Sequence, residues 1–80
     1  MRLSHDPDAD AVYIELYQGK PVRAEELGDQ LSLDYDAEGN VLGIEILWAS
    51  EGIDLDRLPA NLEIPVARLL EEYRFKVLTH

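Results

Sequence analysis

Apolar and polar residues alternate along most of the first fifty positions. Leu31, Leu33 and Tyr35 alternate with Ser32 and Asp34, and Leu42, Ile44, Ile46 and Trp48 alternate with Gly43, Glu45 and Leu47. A period of two on both sides of the acidic, glycine-containing residues 36–40 predicts a hairpin. Residues 11–17 repeat the pattern, with Val12, Ile14 and Leu16 on one face and Tyr13, Glu15 and Tyr17 on the other. Residues 2–5 predict a short first strand, stopped at Asp6-Pro7-Asp8, where proline fixes φ and removes a donor. Residues 22–27 read as a charged edge strand.

The period changes near Pro65. Val66, Leu69, Leu70, Tyr73 and Val77 follow steps of three and four, which predicts a helix over 65–78 beginning where proline is tolerated. Tyr73, Phe75 and Val77 also alternate with Arg74 and Lys76, so residues 73–79 read equally as helix or strand. The expected fold is α+β: an antiparallel β-meander of four to five strands with the C-terminal helix packed on one face. Residues 1–80 form a single domain, with sheet over 2–50, an irregular connection over 51–64 and helix over 65–78.

A domain of this size buries roughly 60–65% of its unfolded surface, and without cysteine it has no disulfide to supplement that core. Self-association as a homodimer is therefore expected. Tyr13 and Tyr17 are candidate interface residues, because with Ala11 they leave their face partly apolar. Trp48 is a third candidate. Burial of Trp48 against the helix is the simpler reading, and an exposed anchor is the alternative.

The net charge of −10 is uneven. Residues 1–56 carry 14 acids against three bases, giving −11, while residues 57–80 carry four bases against three acids, giving +1. Such a body repels phosphate backbones and suits a basic protein partner. No apolar run approaches the ~18 residues of a membrane span, and the polar residues 2–8 do not resemble a signal peptide. A cytoplasmic location is expected.

Asp6-Pro-Asp-Ala-Asp-Ala-Val-Tyr-Ile14 and the stretch from Asp34-Tyr-Asp-Ala-Glu-Gly-Asn through Trp48-Ala-Ser50 resemble, in order and separation, the bacterial family called domain of unknown function 2283. The resemblance covers about residues 2–50. It implies a small β-rich domain of unassigned activity. It also implies an antitoxin-like or regulatory binding role, through members that neighbour small toxin-like genes. No catalytic residues are carried over from it.

Asp34, Asp36, Glu38, Gly39 and Glu45 occupy positions 1, 3, 5, 6 and 12 of a calcium-loop pattern. That loop needs flanking helices, whereas these flanks have strand periodicity, and Glu45 in a strand would project away from the loop. Asp34, Asp36 and Glu38 are thus weak metal candidates, with Asp6, Asp8 and Asp10 a second acidic cluster and His5 beside them. Small cation or ligand binding by these turns is the alternative function. Ser4, Ser32, Ser50 and Thr79 lie in no nucleophile-elbow pattern, and the pairs Glu25-Glu26 and Glu71-Glu72 lack an evident cleft. No enzyme activity and no cofactor are expected. The leading reading is a non-catalytic protein-interaction module.

Overall fold

The computed structural model describes residues 1–78; Thr79 and His80, with the readings that fall on them, lie outside it. Five strands form one sheet: β1 (Arg2–Asp6), β2 (Ala11–Glu15), β3 (Arg23–Leu27), β4 (Leu31–Tyr35) and β5 (Val41–Ile46). Their order is β1-β2-β5-β4-β3, and every neighbouring pair is antiparallel. A 3-10 helix (Ala49–Glu51), β6 (Ile53–Asp54), α1 (Ala60–Glu72) and β7 (Val77–Leu78) follow. β6 and β7 pair in parallel. The α+β class and the C-terminal helix agree with the sequence pattern.

The sheet holds two consecutive runs, β1-β2 and β3-β4-β5, and acidic side chains build the β1–β2 and β4–β5 turns within them. Asp6 Oδ1 accepts the N–H groups of Asp8 and Ala9 at 3.1 and 3.3 Å. Asp36 Oδ1 accepts those of Glu38 and Asn40 at 2.9 and 2.8 Å, and Asn40 Nδ2 donates to Asp36 Oδ2 at 3.1 Å. These bonds, the Asn40 backbone donor first, hold the Asp36 carboxyl below its ordinary pKa. Gly39 supplies the turn's positive φ of 85°. The two runs meet where β2 pairs with β5, setting Ile14 opposite Ile44 and Val12 opposite Ile46.

That register lines up the core. Ile14, Ile44 and Leu33 face one another across three strands, and Val12, Ile46 and Leu31 form the next row. All six are buried, with Ile14, Ile44 and Ile46 at 0% exposure. Val66 and Leu70 of α1 cover these rows together with Ile53, Leu55 and Leu58. The segment 51–64 is therefore not an irregular connection. It holds β6 and three core residues, and Gln30 pins it by donating to the Gly52 carbonyl at 2.8 Å and accepting from Asp54 N–H at 3.0 Å.

The helix runs over Ala60–Glu72 rather than 65–78. Pro59, not Pro65, marks its start: Pro59 is the N-cap, and its carbonyl accepts Leu62 N–H at 2.9 Å. Pro65 sits inside the helix, where it can give no hydrogen bond to the Asn61 carbonyl; Asn61 is exposed, so water can take that place. The end is a Schellman turn. Phe75 N–H reaches the Leu70 carbonyl at 3.0 Å and Arg74 N–H the Glu71 carbonyl at 2.9 Å. This turn releases the chain into β7, so the strand reading holds for Val77–Leu78.

Trp48 departs from burial against the helix: it is 55% exposed. A left-handed backbone at Trp48, φ 56°, ends the two-residue alternation of β5, so Ala49 turns into the core instead. The β2 strand also stops at Glu15, which leaves Tyr17 beyond it and 70% exposed.

Arg74 holds the left-handed position of the Schellman turn at φ 67°, a place usually taken by glycine. Arg74→Gly should raise stability by ~0.5–1 kcal/mol, or about 3–6 °C in Tm for a domain of this size. Thermal unfolding followed by circular dichroism checks this, and a lower Tm would count against the assigned turn.

Candidate functional site

Residues paired across neighbouring strands lie on the same face of a sheet, so the register also defines the face opposite the core. One row runs Arg2, Glu15, Gly43, Asp34, Ala24, and the next runs Ser4, Tyr13, Glu45, Ser32, Glu26. Glu15, Glu26, Asp34 and Glu45 thus share the outer face, with Asp6 at its corner beside Ala11. Arg2 is the base in these rows, and it lies 3.6 Å from Glu15.

Tyr13 ties this face together. Its ring leans diagonally across β5 at Gly43, and its hydroxyl donates to Asp34 Oδ2 on β4 at 2.9 Å. A Cβ at position 43 would overlap the hydroxyl and Cζ of that ring. Glycine in a strand interior usually weakens the strand, and here it admits a close approach. The ring in turn covers backbone that glycine leaves bare. Burial, then the bond to Asp34 and the charges of Asp34, Glu15 and Glu45, push the Tyr13 hydroxyl from 10.0 up to about 12.

Of the sequence candidates, the structure engages Tyr13 and Asp34 with each other and disperses the rest. Asp36 is committed to its own turn, and Glu38 contributes its backbone N–H to that turn. Glu45 lies on the outer strand face, as expected. Among the described residues, no group of three or more His, Asp or Glu side chains is arranged to hold a metal ion. His5 stands edge-on to Phe75, ring centres 5.0 Å apart. Asp10 latches the far end of β5: it accepts from Ser50 N–H at 2.9 Å and from Ser50 Oγ at 2.7 Å, while its carbonyl accepts Ala49 N–H at 3.0 Å. This latch sits beside exposed Trp48 and fixes the backbone that presents it.

The chain belongs to a family of proteins of unknown function. Residues 2–50 match the family described as protein of unknown function (DUF2283). No curated protein and no solved structure matches the chain. The part matched to DUF2283 contains all five strands of the main sheet, the Tyr13–Gly43–Asp34 contact, the Asp10–Ser50 latch and Trp48, while β6, α1 and β7 lie outside it.

At the end of the DUF2283 sheet nearest Tyr17, a groove of about 470 Å³ opens between residues 36–42 and the start of α1. Its floor is apolar, from Leu16, Val41, Leu42 and Leu62. Its acid, Asp36, already serves the turn, so the groove offers shape rather than chemistry.

Alternation within single strands does not reveal the Gly43 gap or the acidic outer row. An isolated glycine within a strand pattern was the available signal for close approach. The row itself depends on β2 lying beside β5, and alternation within each strand carries no information about neighbours.

A raised tyrosine pKa stabilises the fold below the unfolded value and loses that contribution as pH climbs through the folded value. Tyr13 should therefore support stability fully below pH 10 and progressively less up to about pH 12. Urea unfolding at successive pH values should show wild type more stable than Tyr13→Phe by ~1 kcal/mol near neutrality, the gap closing across that window. A gap that stays constant would refute the assignment.

Proposed function

We propose that this DUF2283 protein is a non-catalytic interaction module whose acidic outer sheet face docks a basic protein, in an antitoxin-like or regulatory role. The observation that carries the reading is the convergence of Glu15, Glu26, Asp34 and Glu45 on one face of the sheet. A sheet face on which these four acids stand against the one base Arg2 steers an oppositely charged partner and rejects others. Exposed Trp48, at the end of the same sheet, provides an apolar anchor of the kind enriched in binding hot spots. The module works as a homodimer in the bacterial cytoplasm. Cation binding by the acidic turns has less support, since the Asp6 and Asp36 carboxylates already accept N–H groups within their own turns.

Glu26 and Glu45 are exposed, and among the described residues neither side chain makes a hydrogen bond. Glu26→Gln with Glu45→Gln should not lower Tm, since it relieves repulsion among the carboxylates of this face. The pair should weaken binding to a basic partner captured from the native cytosol on the order of tenfold. Raising ionic strength should weaken wild-type binding in the same direction. Undiminished binding by the double variant would overturn the proposed face, and turnover of a small-molecule substrate without any protein partner would overturn the reading as a whole.

A further inference from the structure

β1 is an edge strand. It pairs with β2 on one side, and among the described residues no backbone hydrogen bond from another segment reaches its other side. Its five residues, Arg2-Leu-Ser-His-Asp6, include neither proline nor lysine, two usual means of protecting an open edge.

A two-fold axis between antiparallel strands requires one residue to face its own copy, because successive pairs alternate between two hydrogen-bonding types. Centred on Ser4, β1 meets this condition over its whole length. Ser4 faces Ser4, Leu3 faces His5, and Arg2 faces Asp6 at both ends. Every charge is opposed by its complement. The other edge, β3, does not behave this way. Its full-length pairing sets Glu25 against Glu25, and centring on Ala24 draws Pro21 into the ladder.

We propose that a second copy of this chain docks on β1, antiparallel about an axis at Ser4, joining two five-stranded sheets into one continuous sheet. On the core side, the pairing of Leu3 with His5 extends the apolar layer beside Phe75, which is only partly buried in one chain. On the outer side, the two acidic faces become a single surface, so a basic partner meets twice the charge. This inference rests on the homodimer in the reading above and is independent of the basic partner.

Sedimentation equilibrium tests the register. Wild type should give twice the chain mass. Arg2→Glu sets acid against Asp6, and Asp6→Lys sets base against Arg2, so each variant alone should give one chain mass. Mixed in equal amounts they restore complementary charge at both ends, and the mass should double again. Because Asp6→Lys also removes a turn acceptor, a second measurement uses the absence of native cysteine. Facing residues in such a ladder lie about 4.5–5.5 Å apart, within disulfide reach, so Ser4→Cys should oxidise to a linked pair faster than Ala24→Cys. Doubling by the mixture and selective linking at position 4 would establish the edge. Equal linking rates, or single variants that remain dimeric, would overturn it while leaving a dimer through another surface. A monomeric wild type would overturn both the edge and the dimer.

Discussion

The pairing of β2 with β5 holds the domain together. It joins a hairpin formed by residues 2–15 to a three-stranded run formed by residues 23–46, and neither run can bury its apolar face alone. On the core side, Ile14 meets Ile44 and Leu33 in one row. On the outer side, Tyr13 bridges from β2 over Gly43 of β5 to Asp34 of β4. A shift of one residue would turn the isoleucines outward and remove the tyrosine from its gap. The register is thus specified on both faces, by apolar burial on one and by a single aromatic clasp on the other.

The acidic surface exists on the terms this clasp sets. Four carboxylates on one small sheet repel one another, and a net charge of −10 opposes compaction. Placing them on a solvated face limits that repulsion, while Tyr13 shields the centre of the face and receives Asp34 as a partner. Asp6, Asp10 and Asp36 are spent differently, as acceptors for backbone N–H groups in turns and in the latch that ends β5. The same residue type therefore does two jobs. Acids in turns shape the chain, and acids in strands charge its surface.

Local patterns were legible and non-local ones were not. Alternation and turn chemistry located the hairpins, since both depend on neighbours in sequence. Spacing locates the helix but points to Pro65 rather than Pro59 as its start, because a proline in the second turn forfeits a hydrogen bond that exposed Asn61 can replace with water. Alternation leaves Trp48 either buried against the helix or an exposed anchor; its left-handed backbone, held by Asp10 from 38 residues earlier in the chain, breaks the alternation and leaves it exposed. The candidate surface was half visible. Tyr13 and Trp48 were singled out as aromatics, whereas the alignment of Glu15, Glu45, Asp34 and Glu26 follows from strand order.

A double-mutant cycle between Tyr13 and Gly43 tests the clasp most directly. In the wild-type background Gly43→Ala should destabilise by about 1–3 kcal/mol, because the new methyl group displaces the Tyr13 ring and its bond to Asp34. In a Tyr13→Ala background the same substitution should be neutral or stabilising, since alanine suits a strand better than glycine when no ring needs the space. Equal cost of Gly43→Ala in both backgrounds would contradict the account.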